Sequence, residues 1–239
     1  MQRIGWDERQ PGHFEVDLVH HAGPSSEGQY VHTLQMVDVA TGWSERVAVL
    51  GRSYLVMEDG FRRCQARLPC AVLELHPDNG SEFLNQLMLD FWQKQPQIPR
   101  FSRSRPYQKN DNRFVEQKNH TLVRDWFGDA RLDTLAHQRL LDELYDQMWR
   151  YYNFFPKGTF SQPVLRLNEK EWRGEGTSKH CYRKWGEAQT PFERLCATKT
   201  LDEPTQARLR AQRDAINPRQ LRAEIYRLRE QFFDLPLAQ

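Results

Sequence analysis

Asp78 stands where a chain most readily presents a reactive group. It lies in His76-Pro77-Asp78-Asn79-Gly80-Ser81-Glu82-Phe83, after the apolar run Ala71-Val72-Leu73-Glu74-Leu75 and before Leu84, Leu87, Met88 and Phe91 at helical spacing. A strand end leading into a helix is where open α/β sheets display polar groups. Asn79 and Glu82 have the spacing of a capping box that starts a helix at Gly80, which leaves Asp78 over. A carboxylate there suits a metal ligand or a catalytic group, although Asp also favours turns. Two further acids share that ambiguity. Asp17 falls in the alternating stretch 13–20, whose Phe14, Val16 and Leu18 share one face. A charge in mid-strand is unfavourable unless it meets water or a partner. Glu116 borders the apolar stripe of Val115, Leu122 and Trp126 on a helix that runs to Phe127. A solvated Glu is the commoner occupant of such a position.

Taken together, Glu15-Val16-Asp17, the block 76–83 and Lys109-Asn110-Asp111-Asn112-Arg113-Phe114-Val115-Glu116-Gln117-Lys118-Asn119 resemble the three acidic blocks of the DDE integrase-core superfamily. The match is closest to bacterial insertion-sequence transposases with a retroviral-integrase-like core. The gap from Asp78 to Glu116 is 37 residues (116 − 78 − 1), near that family's usual spacing. Met36-Val37-Asp38-Val39-Ala40-Thr41-Gly42-Trp43, Ser102-Arg103-Ser104-Arg105-Pro106-Tyr107 and Asn153-Phe154-Phe155 fit as well, so the resemblance covers residues 11 to 200. It implies an α/β protein with an RNase H-like mixed five-stranded sheet flanked by helices. It also implies Asp17, Asp78 and Glu116 as catalytic and metal-binding residues, with Asp17 bridging two ions and the other acids holding one each. Two divalent cations can stabilise charge on the attacking and the leaving oxygen of a phosphodiester. Magnesium, or manganese, takes carboxylate oxygens for this purpose. The implied activity is DNA cleavage by water followed by transfer of the freed 3′-hydroxyl to target DNA, with DNA (element ends and target) as partner.

The elements that must position these acids can be traced along the chain. Residues 1–12 form a polar lead-in. Strands are expected at 13–20, 30–39 and 43–50, joined by the turns Gly23–Gly28 and Thr41-Gly42 as an antiparallel meander. A helix at 53–67, a strand at 71–75, a helix at 80–94, a short strand at 98–102, the Glu116 helix and a helix at 133–153 complete a core spanning 13–156. Residues 157–200 are expected to be a basic connector, loosely ordered over 166–187. A charged helical tail follows at 201–239, with helices at 202–214 and 218–233. Leu221, Ile225, Leu228 and Phe232 make one apolar stripe there, fit either to dock on the core or to join copies of the chain in a homo-oligomer.

Charge divides along the same line. Residues 1–156 hold 18 Lys+Arg against 21 Asp+Glu (−3), and residues 157–239 hold 16 against 11 (+5). A basic extension suits a polyanion, and equally suits ordinary solvated helices. Cys64, Cys70, Cys181 and Cys196 form no C-x-x-C pair, which speaks against structural zinc and for a reducing, cytoplasmic setting. No apolar run suffices to span a bilayer, and no membrane partner is expected.

Candidate DNA contacts are Arg103, Arg105, Tyr107 and Lys109 in the loop before the Glu116 helix, and Arg113, Gln117, His120 and Arg124 along it. His20 and His21 are expected to be exposed. Related transposases usually carry helix-turn-helix domains ahead of the core. Asp17 stands so close to Met1 that no such domain is expected before it, which leaves three readings open: a truncated copy, a product that needs a separate helix-turn-helix recognition subunit, or a gene with a misassigned start. The alternatives are a DNA-binding remnant without catalysis and an RNase H-like nuclease that cuts without joining.

Overall fold

The alternation in the first fifty residues folds as a meander. Strands β1 (His13–His20), β2 (Val31–Asp38) and β3 (Ser44–Leu50) pair antiparallel, with Asp17 opposite Gln35 and Gln35 opposite Arg46. The computed structural model describes residues 4–5, 8–78, 83, 85–97, 99–104, 111–155 and 189–236, and the backbone of 168–173 and 180–185. After helix α1 (Tyr54–Gln65) the chain returns as β4 (Glu74–Pro77), parallel to β1. Helix α2 (Gln86–Gln93) leads to β5 (Arg100–Phe101), parallel to β4. The sheet order is therefore β3-β2-β1-β4-β5. Three antiparallel strands extended by two parallel ones, with helices on both faces, make the RNase H-like α/β fold expected from the sequence.

Phe14, Val16 and Leu18 face α1 and α2, where they pack with Met57, Phe61, Met88, Phe91 and Trp92. The opposite face carries α3 (Arg113–Asn119), a π-helical turn (His120–Arg124), α4 (Asp125–Phe127) and α5 (Leu135–Phe154). On that side Val19, Val31 and Ala48 meet Leu122, Phe127, Leu141 and Tyr145, while Val37 and Val39 meet Phe114 and Val115. Beyond the core lie α6 (Pro191–Ala197), α7 (Glu203–Asp214) and α8 (Pro218–Phe232). The α8 stripe of Leu221, Ile225, Leu228 and Phe232 is buried against the α5 side of the core, so docking explains it. Asn153 ties the end of α5 to β3, its Oδ1 accepting the Ser44 N–H and its Nδ2 donating to the Ser44 carbonyl, each at 3.0 Å.

Four local expectations need correction. Strand β4 begins at Glu74 and runs through Pro77, because its ladder is set by β1, with His13 opposite Glu74 and Val16 opposite Pro77. Helix α2 starts at Gln86, where Asn85 is the N-cap and its Oδ1 accepts the Met88 N–H at 2.9 Å; Asn79 and Glu82 lie outside the described residues. The Glu116 helix is not continuous, since the π turn follows α3, and there the Thr121 hydroxyl bonds back to the Gln117 carbonyl at 3.0 Å. Within the expected loose connector, β6 (Asn168–Arg173) and β7 (His180–Trp185) pair antiparallel.

Candidate active site

Parallel pairing in register decides where the first two acids stand. Val16 of β1 lies opposite Pro77 of β4, so the next residues along the two chains are Asp17 and Asp78. Side chains at matching positions of neighbouring strands point to one face, and for Asp17 that is the face covered by α3. The Asn119 side-chain amide donates to Asp17 Oδ2 at 2.6 Å, and the Leu18 N–H donates to its Oδ1 at 2.8 Å. Glu116 sits one helical turn before Asn119 and is exposed. Burial, with repulsion from Asp78 and Glu116, pushes the Asp17 carboxyl up to about 6, against the pull of the two amides. Asp17 thus feels both of the other acids electrostatically. The three do not form a closed cage: among the described residues, no three His, Cys, Asp or Glu side chains are arranged to hold a metal ion. The donor set nonetheless suits a hard divalent cation, because added positive charge would offset the burial of Asp17 and its repulsion by Asp78 and Glu116.

Two residues that the sequence reading passed over hold this arrangement. One is Asn119, just described. The other is Glu15, two residues before Asp17 on the same strand face and only 1% exposed. Its Oε2 accepts the backbone N–H groups of Phe114 and Val115, both at 2.8 Å. Burial pushes the Glu15 carboxyl up to about 8, opposed by those two N–H donors and by Arg113. The available signals were the alternation of β1, which puts Glu15 beside Asp17, and the three-residue step from Glu116 to Asn119.

His76 serves the frame. It is fully buried, and its Nδ1 pairs with the Ser102 hydroxyl at 2.7 Å, which in turn donates to Glu74 Oε1 at 2.5 Å. His21 is also buried, contrary to expectation: its Nε2 meets the Thr33 hydroxyl at 2.8 Å, and burial holds its pKa down at about 3. Its position next to Val31 and Leu132, whose backbones bond to its own, draws it inside.

Of the candidate DNA contacts, Arg103 and Gln117 are exposed, and the Arg113 guanidinium lies over the Phe114 ring at 4.7 Å. His120 Nδ1 is 3.3 Å from Asp125, and Arg124 reaches the Gly128 carbonyl and Asp129, both at 3.3 Å. Surface pairs of this kind are worth at most about 1 kcal/mol, so a phosphate can replace the acid. Arg105, Tyr107 and Lys109 lie outside the described residues.

No family model matches the chain. Over 165 residues it is 36% identical to the uncharacterized protein y4rM of Sinorhizobium fredii (strain NBRC 101917 / NGR234), which covers 69% of this chain and 45% of that protein. The chain therefore spans less than half the length of this curated relative. Among solved structures it is similar to the catalytic core domain of BIV integrase, with 16% identity over 62% of this chain and 86% of that one, at a TM-score of 0.42. It is also similar to a chain of the simian T-cell lymphotropic virus intasome in complex with PP2A regulatory subunit B56 gamma. That match has 15% identity over 76% of this chain and 71% of that one, at a TM-score of 0.49. The fold assignment stands on the strand order and directions given above. Among the described residues no helix is long and apolar enough to cross a membrane.

Proposed function

We propose that this chain is the catalytic part of a DDE-type polynucleotidyl transferase that cleaves and joins DNA, as a bacterial insertion-sequence transposase does. The reading is supported by the register of β1 and β4, which ends with Val16 opposite Pro77 so that Asp17 and Asp78 come next, and by the Asp17 carboxyl, raised by burial and then by repulsion from Asp78 and Glu116. Asp17, Asp78 and Glu116 would hold magnesium or manganese, probed best as two ions. Bound there, the ions would supply charge stabilisation at the attacking and leaving oxygens of the phosphodiester. The chain's own part is to fix the carboxylates on a rigid strand pair, and to keep Asp17 oriented through Asn119. Gln117, exposed, and Arg113 lie on the Glu116 helix, and the exposed Arg103 follows β5; these side chains suit contacts to phosphates. In the first step a water oxygen bonds to phosphorus and the 3′-hydroxyl leaves with a proton. In the second, that 3′-hydroxyl bonds to a target phosphorus and the target's own 3′-oxygen leaves. Assembly of several copies on DNA belongs to the same proposal.

The test uses pre-cut duplex ends with magnesium or manganese. Nicked or joined products are expected from the wild-type chain and none from Asp78→Asn, which keeps the shape and removes a charge, while DNA binding stays within about twofold. The open spacing of the acids favours one second reading, a DNA-binding remnant without catalysis. DNA binding with no metal-dependent chemistry on any pre-cut substrate would establish the remnant instead.

A further inference from the structure

We infer that Glu15 is a positioning residue that caps the Glu116 helix from strand β1, so that β1 holds that helix at two points. The inference deepens the proposed function and rests on it for the role of Glu116.

Helix α3 has only seven residues, too few to be stable alone, and it lacks the usual cap. Its N-cap residue, Asn112, makes no side-chain capping bond, and Asn112 Oδ1 is buried without a partner among the described residues. An N-cap side chain normally accepts the N–H of the second or third helical residue. In α3 these are Phe114 and Val115, and both N–H groups go to Glu15 Oε2 at 2.8 Å. A side-chain oxygen 99 and 100 residues away in sequence does the work of the missing cap. As an acceptor it serves the N–H end of the helix with or without its proton.

The second attachment is the bond from Asn119 to Asp17 Oδ2. Two residues of strand, Glu15 to Asp17, span roughly 6.6 Å. The four or five helical residues from Phe114 or Val115 to Asn119 span roughly 6 to 7.5 Å. The two spacings match, so strand and helix register at both points, and Glu116 lies between them. Glu116 is exposed and in the last position of the helix's first turn, where an unpinned end would fray. The strand that carries Asp17 thereby also sets the place of Glu116.

The experiment compares wild type, Glu15→Gln and Glu15→Leu as full chains. Gln keeps an oxygen able to accept both N–H groups, whereas Leu keeps the bulk and accepts none. Amide hydrogen exchange is read first, without metal or DNA. In wild type, the Phe114 and Val115 amides are expected to exchange as slowly as those of β1, and this alone tests the cap should Glu15→Leu fail to fold. In Glu15→Leu they exchange about tenfold faster or more, with β1–β3 unchanged, and Glu15→Gln restores most of the protection. In the strand-transfer assay Glu15→Leu lowers kcat at least about tenfold and raises the magnesium midpoint, with KM for DNA unchanged, and Glu15→Gln recovers both in part. Rapid exchange of the two amides in wild type overturns the inference, as does equal behaviour of Gln and Leu in exchange. If the exchange results come out as expected and wild type shows no phosphodiester chemistry, the cap stands and the proposed function falls.

Discussion

Asp17 is stabilised by two amide donors and opposed by burial and two like charges, and the opposition prevails. Its carboxyl titrates at about 6 instead of its ordinary 3.8. Between those values the folded protein keeps a proton that the unfolded chain has lost, so this group's contribution to stability falls as pH rises from 3.8 through about 6. Above that range the ionised form is carried at a cost of up to roughly 3 kcal/mol, less for a side chain that is only half-buried. Asp17→Asn should therefore raise the metal-free unfolding free energy at pH 7.5 by about 1–2 kcal/mol and leave it within about 0.5 kcal/mol at pH 4. The Asn119 bond survives, because an Asn carbonyl accepts as well as a carboxylate oxygen. Urea unfolding at both pH values reads the difference, and a loss of stability at both would mean that the contacts outweigh the strain. At this scale the sequence pointed to the acids as candidates, because His76–Phe83 and the block around Glu116 are compact patterns. Glu15 and Asn119 were hidden for a physical reason: each acquires its role from a partner about a hundred residues away, and no local spacing records such a contact.

Strand β4 is short, and its place between β1 and β5 depends on one buried carboxylate. Glu74 accepts hydrogen bonds from His13 Nδ1 at 2.8 Å, from the Ser102 hydroxyl at 2.5 Å, and from Arg100. Burial alone would raise its pKa, but the bonds from His13, Arg100 and Ser102 bring it down to about 2. The stability it contributes is complete above its unfolded pKa of 4.5 and is lost as pH falls through about 2. His13 behaves in the opposite sense: its pKa is raised, chiefly by the bond to Glu74, so its share is complete below 6.5 and lost as pH rises through its folded value. The pair is worth most between these limits. Glu74→Gln should lose roughly 2–3 kcal/mol of unfolding free energy at pH 5.5 and far less at pH 2. Equal losses at the two pH values would assign the effect to packing rather than charge. The element scale also shows where pattern reading works. Strands β1 to β3 were legible because each is a run of seven or eight largely buried residues bounded by turn signals, whereas the ladder offset of β4 is chosen by its partner. The β6–β7 hairpin was missed because Asn168–Arg173 and His180–Trp185 are too polar to trace an apolar face.

At the scale of the whole molecule, the division into an acidic core and a basic tail does not separate two independent bodies. Phe192, Leu195 and Leu209 pack with Trp43 and Phe154, and the α8 stripe closes the α5 side of the sheet. Four α8 side chains, Leu221, Ile225, Leu228 and Phe232, are at most 8% exposed. At about 1.5–3 kcal/mol each, they bury an amount comparable to the whole stability of a typical domain. Deleting the tail to test DNA binding would thus remove part of the core along with any phosphate contacts. Arginines of the tail are also interleaved with acids, as in the half-buried Arg213 with Asp214 and the exposed Arg227 with Glu224, so net charge overstates their pull on DNA. Point changes separate the two roles. Ile225→Ala should cost about 2–4 kcal/mol, seen as a lower Tm, and leave the salt dependence of DNA binding unchanged. Replacing Arg208, Arg210 and Arg219 together with Gln should leave the Tm nearly unchanged, and the slope of log affinity against log salt should flatten only if those side chains meet phosphates. An unchanged slope would confine the DNA surface to the neighbourhood of Arg103, Arg113 and Gln117, beside the acids. An Ile225→Ala protein that kept its Tm and instead lost a dimer in sedimentation would show the stripe to be an interface between copies, against the burial seen here.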